Sequence, residues 1–222
     1  MKQQIIEHAG KIFFKKGVKS VTMDELCSEM GISKKTLYIH FANKEELVQE
    51  VIRMFMKNTL ESIYFLMEGA SNSIEGYCDI ADHVFELMTK ISPAMIHEIK
   101  KYYPAVWGEI QEFKKMSIEN MAYENLKKGV AEGVYRSDIN IDLVNRFYLT
   151  VILNMNDEEL FPDTTTDPAS VYKAFINYHI RSIATEKGYE IFKKYNERQE
   201  KQKSPKFRNV IDKIIENRKT KV

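Results

Sequence analysis

Apolar side chains recur along this chain at three- and four-residue intervals almost from its first residue. Ile5, Ala9, Ile12 and Phe13 fall on one stripe of a helix over residues 2–16, and Gly17 closes it as a C-cap residue. Leu26, Cys27 and Met30 give an apolar face to a short second helix, for which Thr22 and Glu25 form the capping box T-x-x-E. Gly31 turns the backbone, and Ser33 caps a third segment from Lys34 to Phe41. Asn43 and Glu46 repeat the cap and open a long helix to about Glu68, with Leu47, Val51, Met54, Phe55 and Ile63 on its apolar side. Its first convincing break is Gly69-Ala70-Ser71-Asn72-Ser73, where Asn72 and Glu75 form another capping pair. Ser92-Pro93, Tyr103-Pro104, Asp167-Pro168 and Ser204-Pro205 each place proline at a first helical position. The helices expected beyond the break cover 74–91, 93–102, 104–132, 141–156, 168–187 and 190–202, with Gly133 and Gly188 at helix ends. Nothing alternates with period two long enough to argue a strand, so the expected fold class is all-α.

Charge sharpens the picture in one place. The 222-residue chain has a formal net charge of only +1, which does not by itself point to nucleic acid. The potential a nucleic-acid reader needs is local. From Gly31 to Lys44 there is no acidic residue, while Lys34, Lys35 and Lys44 are cationic and His40 can become so. Two short helices around a Gly-containing turn, the second carrying Lys, Thr and Tyr, have the form of a helix–turn–helix DNA reader. Its second helix would enter the major groove with its first residues at base edges. Lysine can donate to guanine O6 and N7, and the threonine methyl can pack on that of thymine. Tyr38, His40 and Lys44 lie where phosphates would be in reach, setting register and affinity. The competing reading of the same residues is an αα-hairpin with a solvated lysine pair.

The string Gly31-Ile32-Ser33-x-x-Thr36-Leu37-Tyr38-x-His40-Phe41-x-x-Lys44-Glu45-Glu46-Leu47 closely resembles the signature of tetracycline-repressor-type (TetR family) transcriptional regulators. The likeness covers roughly the first fifty residues, including Phe13-Phe14-Lys15-Lys16-Gly17 and the T-x-x-E opening. The resemblance implies a dimeric, all-helical repressor with an N-terminal three-helix DNA-binding domain and a larger C-terminal ligand-binding and dimerisation domain. It implies phosphate contacts at Thr22, Ser33, Tyr38, His40 and Lys44, and base contacts at Lys34, Lys35 and Thr36. Ile39 departs from the pattern, at a position that often carries a second tyrosine. The expected division is 1–48 for DNA binding, 49–200 for ligand and partner, and 201–222 as a basic, helical tail. The boundary falls inside a helix, so a rigid lever can link the two halves.

The middle helices are rich in methionine and aromatics. Met88, Tyr102, Tyr103, Trp107, Phe113, Met116, Met121 and Tyr148 are the candidate lining of a cavity for a small, largely apolar ligand. The plain alternative is that they are core, in a regulator without an inducer. Leu143, Phe147 and Val151, with Val171, Phe175 and Tyr178, mark two helices that the resemblance implies meet their copies across a two-fold axis. The tail from Lys201 carries eight basic residues against Asp212 and Glu216. Its stripe of Phe207, Val210, Ile211, Ile214 and Ile215 reads as a docking arm before it reads as a second nucleic-acid contact. Cys27 and Cys78 form no C-x-x-C and read as core filler in a reducing compartment, the cytoplasm. No apolar run approaches a membrane span. The histidines lack metal-ligand spacing, and there is no phosphate-cradling loop and no nucleophile elbow. No metal, cofactor or enzymatic activity is therefore expected. The partners expected are a double-stranded operator, a second copy and an apolar ligand, with a helical scaffold protein as the remaining alternative.

Overall fold

The computed structural model describes residues 1–157, 159–162 and 168–202, the last three of them by backbone alone. Asp167 of the expected Asp167-Pro168 cap, the Ser204-Pro205 start and the tail with its apolar stripe lie outside the described residues. Ten helices run through the described chain: α1 (Lys2–Lys16), α2 (Met23–Met30), α3 (Lys34–His40), α4 (Lys44–Gly69), α5 (Ser73–Lys90), α6 (Pro93–Tyr102), α7 (Pro104–Ala131), α8 (Ile141–Asn154), α9 (Pro168–Ile183) and α10 (Glu186–Gln202). There is no strand among them, only an isolated antiparallel bridge between Tyr135 and Ala184.

Short polar side chains fix the starts. Thr22, Ser33, Asn43, Asn72 and Ser92 each accept a hydrogen bond from the backbone N–H three residues on, relieving an orphan donor of the first turn. At Thr22 the box is reciprocal, since the Glu25 carboxylate accepts from Thr22 N at 2.6 Å.

Two hydrophobic cores form. The first joins Phe13 of α1, Leu26 of α2, Leu37 of α3 and Leu47 of α4, all fully buried, and extends to Met95 and Ile99 of α6 and Val106 of α7. The second gathers Ile74, Tyr148, Ile180 and Phe192 from the helices beyond, with Tyr135 from the segment between α7 and α8. Helix α4 joins the first core through Leu47, Val48, Val51 and Ile52, all in its first part, and its later turns run beyond that core alongside α5 and α7. Both cysteines are free and buried, and burial pushes the Cys78 thiol well up, which fits an inert apolar filler.

The expected helix ends at 187 and 188 require correction. Helix α9 stops at Ile183, and Gly188 lies within α10. Thr185 is the cause. Its N–H donates to Val134 O at 3.0 Å, and its Oγ1 accepts from Gly188 N at 3.1 Å, so it caps α10 through a T-x-x-G sequence. Gly188 is needed for proximity: a Cβ there would stand 2.0 Å from Val134 O.

Candidate functional site

Helix α3 is held by one buried side chain, Leu37. With Leu37 turned inward, Lys35, Tyr38 and Ile39 share the outward side, at i, i+3 and i+4; Tyr38 is 50% and Ile39 70% exposed. Ser33 Oγ accepts from Thr36 N at 3.0 Å and lies 2.8 Å from Thr36 Oγ1, so the two hydroxyls form one polar cluster at the start of the helix. Lys34 is tied back to α2 through Asp24 Oδ2 at 2.6 Å. Lys35 makes no ion pair among the described residues, which leaves its charge for an external partner. The Thr22 hydroxyl is engaged with Glu25 yet exposed. His40 packs edge-on against Phe41. Lys44 is only half-buried, and burial lowers the pKa of its ammonium, whose Nζ sits 3.4 Å from Lys19 O under the turn between α1 and α2.

That turn is gripped from the other side by α6. Glu98 Oε2 accepts from Val18 N at 2.6 Å and from Lys19 N at 2.7 Å. Ser92 N donates to Phe14 O at 3.0 Å, and Lys19 Nζ donates to Tyr102 Oη at 3.1 Å. Gly17 completes the fit. Its φ is +84°, and a Cβ there would stand 2.8 Å from Glu98 Oε2. No local spacing in the sequence announces Glu98, because its partners lie some eighty residues away.

Behind α6 lies a cavity of about 270 Å³, walled by α4, α5, α6, α7 and α8 and touched by Phe14 of α1. This is close to the ~300 Å³ at which small-molecule sites begin. Met88, Trp107, Phe113, Met121 and Tyr148 line it as expected; Tyr102, Tyr103 and Met116 do not. Met116 is two residues, or about 200° of helix, from the lining residue Lys114 and is 64% exposed. Tyr102 turns toward Lys19 instead, and Tyr103 packs against the first core. The sequence reading missed the α4 contribution, Phe55 and Leu60 among it, and also Lys114. A signal for Lys114 existed. It stands among Ile110, Phe113, Ile118 and Met121, on the apolar stripe of its own helix, where a solvated lysine does not belong.

Fold and α3 together define a helix–turn–helix protein of the transcription-regulator class. The family model described as bacterial regulatory proteins, tetR family, matches residues 5–51, so the chain carries a DNA-binding segment of the TetR type and is similar to transcriptional regulators over much of its length. Its relatives are regulators, not enzymes. One is the transcriptional repressor KstR2 of Mycolicibacterium smegmatis, 26% identical over 149 residues that span 66% of this chain and 73% of that one. In fold it is similar to a transcriptional regulator of Cytophaga hutchinsonii, with a TM-score of 0.66 at 18% identity over 82% of this chain and 98% of the other. It also resembles the ketosteroid transcriptional regulator KstR2 of Mycobacterium tuberculosis, with a TM-score of 0.52 at 20% identity over 83% and 95%.

Proposed function

We propose that this regulator is a dimeric repressor that holds a palindromic operator and releases it when a small, largely apolar molecule fills the cavity. In this reading residues 1–48 do the DNA reading, and 49–200 hold the ligand and the second copy. The observation that carries it is the double role of α6. Met95, Ile96 and Ile99 form cavity wall, while Glu98 of the same short helix holds the α1–α2 turn. A molecule that displaces the wall displaces the grip, and with it the angle at which α3 is presented. Release is then a population shift: the ligand binds better to the arrangement whose two reading heads are misplaced. Repression as the sense of control agrees with the naming of the mycolicibacterial relative. Dimerisation is supported by the outward apolar residues of α8 and α9, where Phe147 is 66% and Tyr178 72% exposed.

The test is selection of bound sequences from random duplexes with the full chain. The expected product is an inverted repeat whose half-sites lie about 34–36 Å apart, one helical turn. Affinity for that product should fall steeply as salt rises. Recovery of single, unrepeated half-sites would count against the paired reader, and no enrichment at all would count against DNA reading by α3.

A further inference from the structure

Lys114 is out of place. It shares a mostly apolar cavity wall with Phe113, Ile118 and Met121 of its own helix and with Ile152 and Met155 from the chain packed across, Ser117 being its polar neighbour one turn on. Neither a hydrogen bond nor an ion pair holds its Nζ among the described residues. Desolvation depresses its ammonium to about 8, and no carboxylate among the described residues offsets it. At neutral pH the group still carries its proton, because neutral pH is below that value. The side chain is not fully buried, and Lys114 is one of the residues that line the cavity. An unpaired cation in so apolar a place is costly, and the described residues supply no counter-charge. A second polar atom on the same wall is also unpaired: Asn156 Oδ1 is buried without a hydrogen-bond partner.

We infer that the effector is an apolar carboxylic acid, bound as its anion, whose carboxylate pairs with Lys114 while its hydrocarbon body lies against the methionine- and isoleucine-rich wall. The inference rests on the cavity being the effector site and goes further in naming the head group. Electrostatics make the choice. A neutral apolar molecule would fill the space but leave the ammonium desolvated and unpaired, and an amine would add a like charge beside it. An acid supplies the missing charge at the one cationic side chain among the described residues of the wall. The Asn156 carbonyl can accept from a hydroxyl elsewhere on such a ligand, and this permits a hydroxylated acid without requiring one.

The protein carries its own probe. It has one tryptophan, and Trp107 lines the cavity, so its emission reports occupancy. Decanoate, 1-decanol and methyl decanoate share a chain and differ in head group. With the full-length protein at neutral pH, decanoate should bind about tenfold to a hundredfold more tightly than the alcohol or the ester, as expected for a hydrogen bond to a charged group. Lys114→Met should abolish that preference and leave the affinity for the alcohol as it was. Lys114→Gln should do the same, and the unliganded melting temperature of both variants shows that they fold. Equal affinities for all three probes, or an acid preference that survives Lys114→Met, would overturn the carboxylate while leaving an apolar-effector regulator standing. No change in Trp107 emission with any of the three, confirmed by calorimetry, would overturn the cavity as effector site and the carboxylate with it.

Discussion

At the scale of single residues, the two lysines that open α3 are not equivalent. Lys34 is spent on Asp24 at 2.6 Å, whereas Lys35 is free to meet a base edge. Lys35→Ala should therefore relax sequence preference at one operator position, at a cost of about 1–3 kcal/mol. Lys34→Ala should lower affinity for all sequences alike, because most of what it loses is paired within the protein. Binding-site selection with each variant separates the outcomes, and a uniform loss for both would remove Lys35 as a reader. His179 is a different kind of residue. It is buried among Tyr77, Tyr148 and Phe175, with ring centroids 5.1–5.7 Å away, and burial depresses its imidazole from 6.5 to about 4. Above pH 6.5 it is neutral whether folded or not and adds no pH dependence. Between 6.5 and 4 the unfolded chain takes up a proton that the folded chain refuses, so stability falls as pH falls, by at most about 3 kcal/mol. His179→Phe should remove that much of the acid slope in urea titrations at pH 7 and pH 4.5; an unchanged slope would mean the ring is hydrated. Lys114 bears on stability in the opposite pH range. Below pH 8 it is charged in both states, and its burial costs up to about 3 kcal/mol, so Lys114→Met should stabilise the empty protein at pH 7. The gain should shrink as pH climbs from 8 towards 10.5.

At the scale of elements, most of the helices can be read from capping pairs alone. The starts at Thr22, Ser33, Asn43, Asn72 and Ser92 are local events in which a short polar side chain meets an N–H one turn on, and locality is what a sequence displays. The α9–α10 junction was misread for the converse reason. Glycine suggests a helix end when its conformational freedom is considered alone, but Gly188 is set by a carbonyl from fifty-odd residues upstream. Gly188→Ala should accordingly destabilise by about 1–3 kcal/mol despite alanine's better helix propensity, because a backbone oxygen cannot move aside. A neutral or stabilising result in thermal unfolding would show that the Val134 segment yields. The α6 grip was invisible on the same grounds, as Glu98 reads like any surface glutamate. Glu98→Gln keeps one acceptor oxygen but gives up the charge that strengthens both bonds. Hydrogen exchange at the Val18 and Lys19 amides should quicken, and operator affinity should drop although Glu98 lies on a helix outside the helix–turn–helix. Unaltered exchange at both amides would locate the link between the two halves elsewhere, with α4 and its Arg53–Glu109 pair at 3.0 Å as the next connection to test.

At the scale of the whole molecule, the outer surface of α8 and α9 leaves large apolar side chains uncovered. Leu143 and Phe147 stand one helical turn apart on α8, 49% and 66% exposed, and Tyr178 on α9 is 72% exposed. Scattered exposed apolar residues are ordinary, but three large ones on two helices that pack together favour a surface that a partner covers. If a second copy covers it, a charge placed at its centre will split the pair without harming the fold, because Phe147 contributes little to its own core. Phe147→Glu should sediment as a monomer with its helical content intact. Its affinity for a full operator should fall by about a hundredfold or more, since two linked half-site contacts become two separate ones. Its affinity for an isolated half-site should hardly change. That contrast matters more than the loss alone, because a variant that simply misfolds would lose both. A Phe147→Glu protein that remained dimeric would exclude this surface as the interface and move the search to the exposed Tyr64 and Phe65 of α4.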